Sequence, residues 1–123
     1  MYHEETEKIA RFLEKHGHIV YYSAKDTYQD APSGETFLNN LVLIRNADVF
    51  IAYFTKEGCY GVDSAVEVGM AAEAGKPIIG FIDLKEEHMD RFNTRFKKDI
   101  MFSGAFDYMF TDLEEFVEYL IKM

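Results

Sequence analysis

Gly61-Val62-Asp63-Ser64-Ala65-Val66-Glu67-Val68-Gly69-Met70-Ala71-Ala72-Glu73-Ala74-Gly75-Lys76-Pro77-Ile78-Ile79-Gly80 is the stretch on which the fold turns. It reads as a tight turn, a helix rich in small residues, and then a buried strand. The small residues Gly69, Ala71, Ala72 and Ala74 allow a helix to approach a sheet closely, and Gly75 is placed to end it. Ahead of it lies Val49-Phe50-Ile51-Ala52-Tyr53-Phe54, a near-continuous apolar run of the kind found in strands buried on both faces. Strand, helix and strand in that order form one right-handed parallel crossover. Such a unit places Glu67 near a helix N-terminus, at the carboxyl ends of the strands, where open α/β sheets bind their ligands.

Working outward, residues 4–16 read as a helix with Ile9, Phe12 and Leu13 on one stripe and Gly17 as its cap. His18 to Ser23 is β-rich and reads as a strand. Residues 24–34 have the composition of a loop. A helix follows from about 35 to 46, and the helix of the quoted stretch covers roughly 63–74. Pro77 to Ile82 forms the next strand. Residues 84–98 read as a charged, solvent-facing helix, Phe106 to Phe110 as a short strand, and 112–122 as a last helix opened by the capping box Thr111-Asp112-Leu113-Glu114. The alternation α-β-α-β-α-β-α-β-α predicts one α/β domain over 1–123. Its fold is a doubly wound parallel sheet in a flavodoxin-like, Rossmann-like three-layer sandwich. Such sheets usually open with a strand, whereas this chain opens with a helix.

Composition narrows the function. At 123 residues, with 48% hydrophobic residues, the chain has enough material for one core. Its formal charge of −9 repels phosphate backbones, so no nucleic-acid partner is expected. A single nucleotide remains a possible ligand, because a local site need not follow the net charge. No apolar run approaches the roughly 20 residues of a membrane span, and the N-terminus is neither basic nor apolar enough for a signal peptide. The single cysteine, Cys59, forms no internal disulfide and reads as a loop thiol. These features point to a cytoplasmic protein. His3, His16, His18 and His88 have no metal-ligand spacing, so no metal is expected. There is no Gly-x-Gly-x-x-Gly and no Walker loop, which disfavours dinucleotide and nucleoside triphosphate chemistry, and no cofactor is expected.

From the residues alone, Ser64-Ala65-Val66-Glu67 has two readings. One is a capping box, in which both side chains satisfy backbone N–H groups of a helix end. The other is a ligand site. The preceding loop is glycine-rich and carries Tyr60, a candidate for stacking on a base. Asp63 and Glu67, four residues apart, can share one helical face, and free N–H groups there favour an anion and help keep Glu67 ionised. A carboxylate so placed can act as a nucleophile at an anomeric carbon.

The same segment resembles the signature of the nucleoside 2-deoxyribosyltransferase family, Asp-Ser-Gly-Thr-Ala-x-Glu-x-Gly-x-Ala-x-x-x-Gly-Lys-Pro. Ala65, Glu67, Gly69, Ala71, Gly75, Lys76 and Pro77 match without gaps, and Asn46-Ala47-Asp48 before an apolar strand is similar to the family's Ala-Asp element. The resemblance implies that Glu67 attacks C1′ of a nucleoside or its 5′-monophosphate, and that Ser64 with the helix N-terminus binds the 5′ group. The family's aspartate six residues before the glutamate falls on Gly61, with Asp63 a possible replacement. A second family acid falls on Asn40, an amide that can hydrogen-bond but cannot serve as a general acid. The family's first strand and its glycine-containing loop have no counterpart here. Either the sheet is shortened, or a neighbour supplies the strand, or the second strand pairs directly with the third. Family members pair to complete each other's sites, which implies a homo-oligomer with Ser103 and Tyr108 as cross-subunit candidates. A non-catalytic module holding a nucleotide or ADP-ribose-like ligand is the alternative function, and an acidic assembly domain is a third.

Overall fold

The computed structural model describes residues 2–21, 33–55, 62–84 and 86–123. In chain order its elements are α1 (Tyr2–Lys15), α2 (Ser33–Asn46), β1 (Phe50–Thr55), α3 (Val62–Glu73), β2 (Ile78–Asp83), α4 (Glu86–Lys98), α5 (Ile100–Gly104), β3 (Tyr108–Phe110) and α6 (Leu113–Lys122). The three strands form one parallel sheet in the order β1-β2-β3. Phe50 pairs with Ile78 at one end of the β1–β2 ladder and Thr55 with Asp83 at the other. β2 is the middle strand, and Ile78 through Ile82 are all buried. That is why its sequence runs apolar without alternation.

Side chains still alternate between two cores. Phe54, Ile78 and Ile82 pack with Ile44 of α2, Val68 and Ala71 of α3, Phe92 of α4 and Phe102 of α5. On the opposite face, Ile79 and Phe81 pack with Leu13 of α1 and with Phe116 and Leu120 of α6. Both crossovers step the same way across the sheet, so their right-handedness sends α3 and α4 to the same face. The result is the predicted three-layer α/β sandwich. Aromatic rings fill both cores. Phe54, Phe92, Phe96, Phe102 and Phe106 form one connected cluster, with centroids 5.1–6.2 Å apart. On the other face Phe81 stacks on Phe116 at 4.6 Å, and Tyr119 packs against Phe110 and Tyr108.

Two glycines end helices as expected. Gly17 and Gly75 have φ of +89° and +73°. In each case the residue after the glycine donates to a carbonyl five positions back: His18 to Leu13, and Lys76 to Ala71. This is the Schellman arrangement, which requires a left-handed residue.

Several expectations need correcting. His18 to Tyr21 is not a strand; Val20 instead packs against the α1–α6 core, and Tyr22 and Ser23 lie outside the described residues. Among the described residues β1 is therefore an edge strand, and direct pairing of His18 to Tyr21 with β1 is not seen. Residues 99–105, to which the sequence reading gives no element, contain the short helix α5, anchored by Phe102 in the core. The last helix is capped not by Thr111 but by Asp112, whose carboxylate accepts from the Glu114 N–H at 2.9 Å.

Candidate active site

α3 runs back antiparallel to β1, so its N-terminus lies at the carboxyl end of the sheet. Val68 and Ala71 face the strands. Glu67 lies one turn before Ala71 on the same stripe, and both Ser64 and Glu67 are partly buried. The glutamate thus sits where helix meets sheet edge, not on the outer face of α3. The helix begins at Val62, which puts Ser64 inside the first turn and not at the cap. The capping-box reading needs Ser64 at the boundary itself, so the described helix does not support it.

Asn40 lies on the neighbouring helix. α2 and α3 pack side by side on one face of the sheet. Asn40 is partly buried, one turn before Ile44 and on the same inward stripe. Both helices run antiparallel to β1. At about 1.5 Å per residue, Asn40 and Glu67 lie roughly 10 and 8 Å from their helix N-termini. Glu67 and Asn40 thus lie at similar depth along adjacent helices, with Ser64 one turn nearer the start of α3. Asp63 has its backbone in the first turn of α3, while Tyr60 and Gly61 lie outside the described residues, as does Cys59.

Ser103 is not part of this group. Its hydroxyl donates to the Ile100 carbonyl at 3.3 Å, within α5. α5 leads into the start of β3, toward the amino-terminal end of the sheet and opposite the edge that holds Glu67. Tyr108 is exposed at the start of β3.

One carboxylate at the right edge was not singled out from the sequence. Asp83 ends β2, and its Oδ2 accepts the Tyr53 hydroxyl at 2.7 Å. Tyr53 also packs its ring 5.6 Å from Phe81. The pair ties the carboxyl ends of β1 and β2 on the face opposite α3. The available signal was an acid closing a fully apolar run, Ile78-Ile79-Gly80-Phe81-Ile82-Asp83.

Fold and site together define a doubly wound α/β protein whose ligand edge carries a half-buried glutamate on the helix after β1. More particularly, the family model described as nucleoside 2-deoxyribosyltransferase matches residues 1–116, and the chain belongs to that family. A solved structure of a Clostridium botulinum CMP N-glycosidase is similar to it, with a TM-score of 0.63 and 19% identity over 97% of this chain and 88% of that one. At that identity the likeness establishes the shared fold. No curated protein matches the chain in a sequence search. Membership of the family supports activity on a glycosidic bond in general. No helix among the described residues is long and apolar enough to cross a membrane.

Proposed function

We propose that this chain cleaves or exchanges the N-glycosidic bond of a (deoxy)nucleoside or its 5′-monophosphate, with Glu67 as nucleophile. The observation that carries this reading is the position of Glu67: half-buried, one turn before Ala71, at the carboxyl edge of a parallel sheet in a chain of this family. A Glu67 oxygen bonds to C1′ as the C1′–N bond breaks, and its electron pair leaves with the base, which takes up a proton. Water or a second base then attacks C1′ and releases the glutamate. This is the double-displacement logic of retaining glycosidases. Asn40 and Asp63 position the sugar and base, Ser64 with the first turn of α3 receives the 5′ group, and Tyr60 stacks on the base. CMP belongs in the substrate panel because the similar Clostridium botulinum structure is a CMP N-glycosidase.

The test is chromatography of released or exchanged base from a panel of nucleosides and monophosphates. Glu67→Gln is expected to lower turnover at least ~10³-fold with the thermal midpoint within a few degrees of wild type. Full activity in that variant would rule out the mechanism. A second reading has one observation in its favour, the three-stranded sheet with β1 at its edge among the described residues. It makes the chain a binding module of the same fold, and it predicts saturable nucleotide binding with no product from any substrate.

A further inference from the structure

Breaking a C1′–N bond pushes an electron pair onto the base. The base leaves as an anion unless a proton reaches it by the time the bond breaks, and a positioned acid that supplies one is worth about 10²–10⁴-fold in rate. The side chain level with Glu67 on the neighbouring helix is an amide. Asn40 lies partly buried on the inward stripe of α2, which packs beside α3. A carboxamide accepts hydrogen bonds through its oxygen and donates them through its nitrogen, but it has no proton to give up.

Among the described side chains, no other acid stands in for it. Glu35 and Arg45 are exposed at the two ends of α2, and Glu73 is exposed at the end of α3. β1, beneath both helices, turns Phe50, Ala52 and Phe54 toward them, none of which ionises. Asp83 lies on the opposite face of the sheet, where its carboxylate accepts the Tyr53 hydroxyl. Asp63 has its backbone in the first turn of α3. A helix N-terminus favours a carboxylate in its ionised form, which is the wrong state for a donor.

On the glycosidic reading of Glu67, we infer that the protein supplies no proton to the leaving base, and that Asn40 selects bases that take one from solvent. In cytosine, adenine and guanine a ring nitrogen other than the glycosidic one has a free lone pair. Protonated there by hydronium, the base donates that N–H to the Asn40 oxygen. It leaves neutral as a Glu67 oxygen bonds to C1′ and the C1′–N bond breaks. Water then attacks C1′, its proton returns to solvent, and the glutamate carboxylate is released. In thymine and uracil the second ring nitrogen already carries hydrogen, so the base has to leave as an anion. Asn40 is thereby a specificity-determining residue, set against thymine and uracil.

The experiment compares release of base from deoxycytidine, thymidine and the trifluoromethyl analogue of thymidine, each also as its 5′-monophosphate. The analogue is close to thymidine in shape, but its base is a far better leaving anion. For wild type, kcat/KM on deoxycytidine is expected to rise about tenfold per unit of falling pH across neutrality. Thymidine is expected to react at least ~10²-fold more slowly than its analogue. Asn40→Asp, which installs an acid, is expected to raise thymidine turnover at least ~10-fold and to narrow the gap between the pair. Asp63→Asn is expected to slow deoxycytidine and the analogue alike. Thymidine cleaved by wild type as fast as its analogue would overturn the inference, because the protein would then be supplying the proton. So would an Asp63→Asn variant that loses deoxycytidine turnover but keeps that of the analogue, since Asp63 would be the donor. Should Asn40→Asp fail to fold by circular dichroism, the thymidine pair on wild type still decides. No turnover of any of the three, in wild type and Asn40→Asp alike, would sink the glycosidic reading itself and this inference with it.

Discussion

Glu67 was legible in the sequence because its neighbours repeat at helical spacing and an apolar strand stands on either side. Asn40 was legible only through the resemblance, since an asparagine in an apolar helix has no local signature. Asp83 and Asp107 were not legible, because each acts across about thirty residues of chain. The Asp107 carboxylate accepts the Ile78 N–H at 2.8 Å, and the Asp107 N–H returns a bond to the Ile78 carbonyl at 2.9 Å. This reciprocal pair fastens the start of β2 to the segment that opens β3, around a fully buried isoleucine. An amide lost from such a pairing keeps its desolvation cost without its partner. Asp107→Ala is therefore expected to lower stability by about 1–3 kcal/mol, and Asp107→Asn, which keeps an acceptor, by less. Urea denaturation of the two variants would check both, with an unchanged denaturant slope showing that only the native state lost an interaction.

Among the elements, the long periodic ones and the short strand β3 followed from pattern, whereas the short helix α5 did not. α1, α2, α3, β1 and β2 lie within two residues of expectation. α5 escaped because five residues carry no period, and its one structural signal is Phe102, a single apolar anchor. His18 to Tyr21 failed for the opposite reason. Its β-branched and aromatic residues have the right propensity, but it pairs with none of β1, β2 and β3, and Val20 packs against the α1–α6 core instead. Propensity describes what a segment tolerates, while pairing decides what it becomes. α4 is a charged helix held by a few inward residues, with Phe92 fully buried and Met89 and Phe96 packed beside it. Phe92 is fully buried, 5.1 Å from Phe54 and 5.5 Å from Phe96 by ring centroid. Phe92→Ala is expected to cost about 3–5 kcal/mol. Differential scanning calorimetry would show it as a large drop in midpoint, whereas truncating the exposed Ile100 or Met101 would leave the midpoint nearly unchanged.

At the scale of the whole molecule, the layer architecture was legible because strand–helix–strand order allows few arrangements, and the family through the resemblance of the segment from Ala65 to Pro77. The division of aromatic residues between the two cores has an optical consequence. The chain contains no tryptophan, so its near-ultraviolet dichroism comes from phenylalanine and tyrosine. Phenylalanines occupy both cores, but the packed tyrosines among the described residues, Tyr53, Tyr108 and Tyr119, all lie on the α1–α6 side. Asymmetric bands of this kind require a fixed surrounding, and they vanish when packing loosens even while helices persist. Among the described residues, the packed tyrosines thus report on one side of the sheet. On gentle heating, tyrosine bands that fade before the far-ultraviolet helix signal would mean that α1 and α6 loosen from the strands first. Coincident loss would mean that both sides of the sheet melt as a single cooperative body.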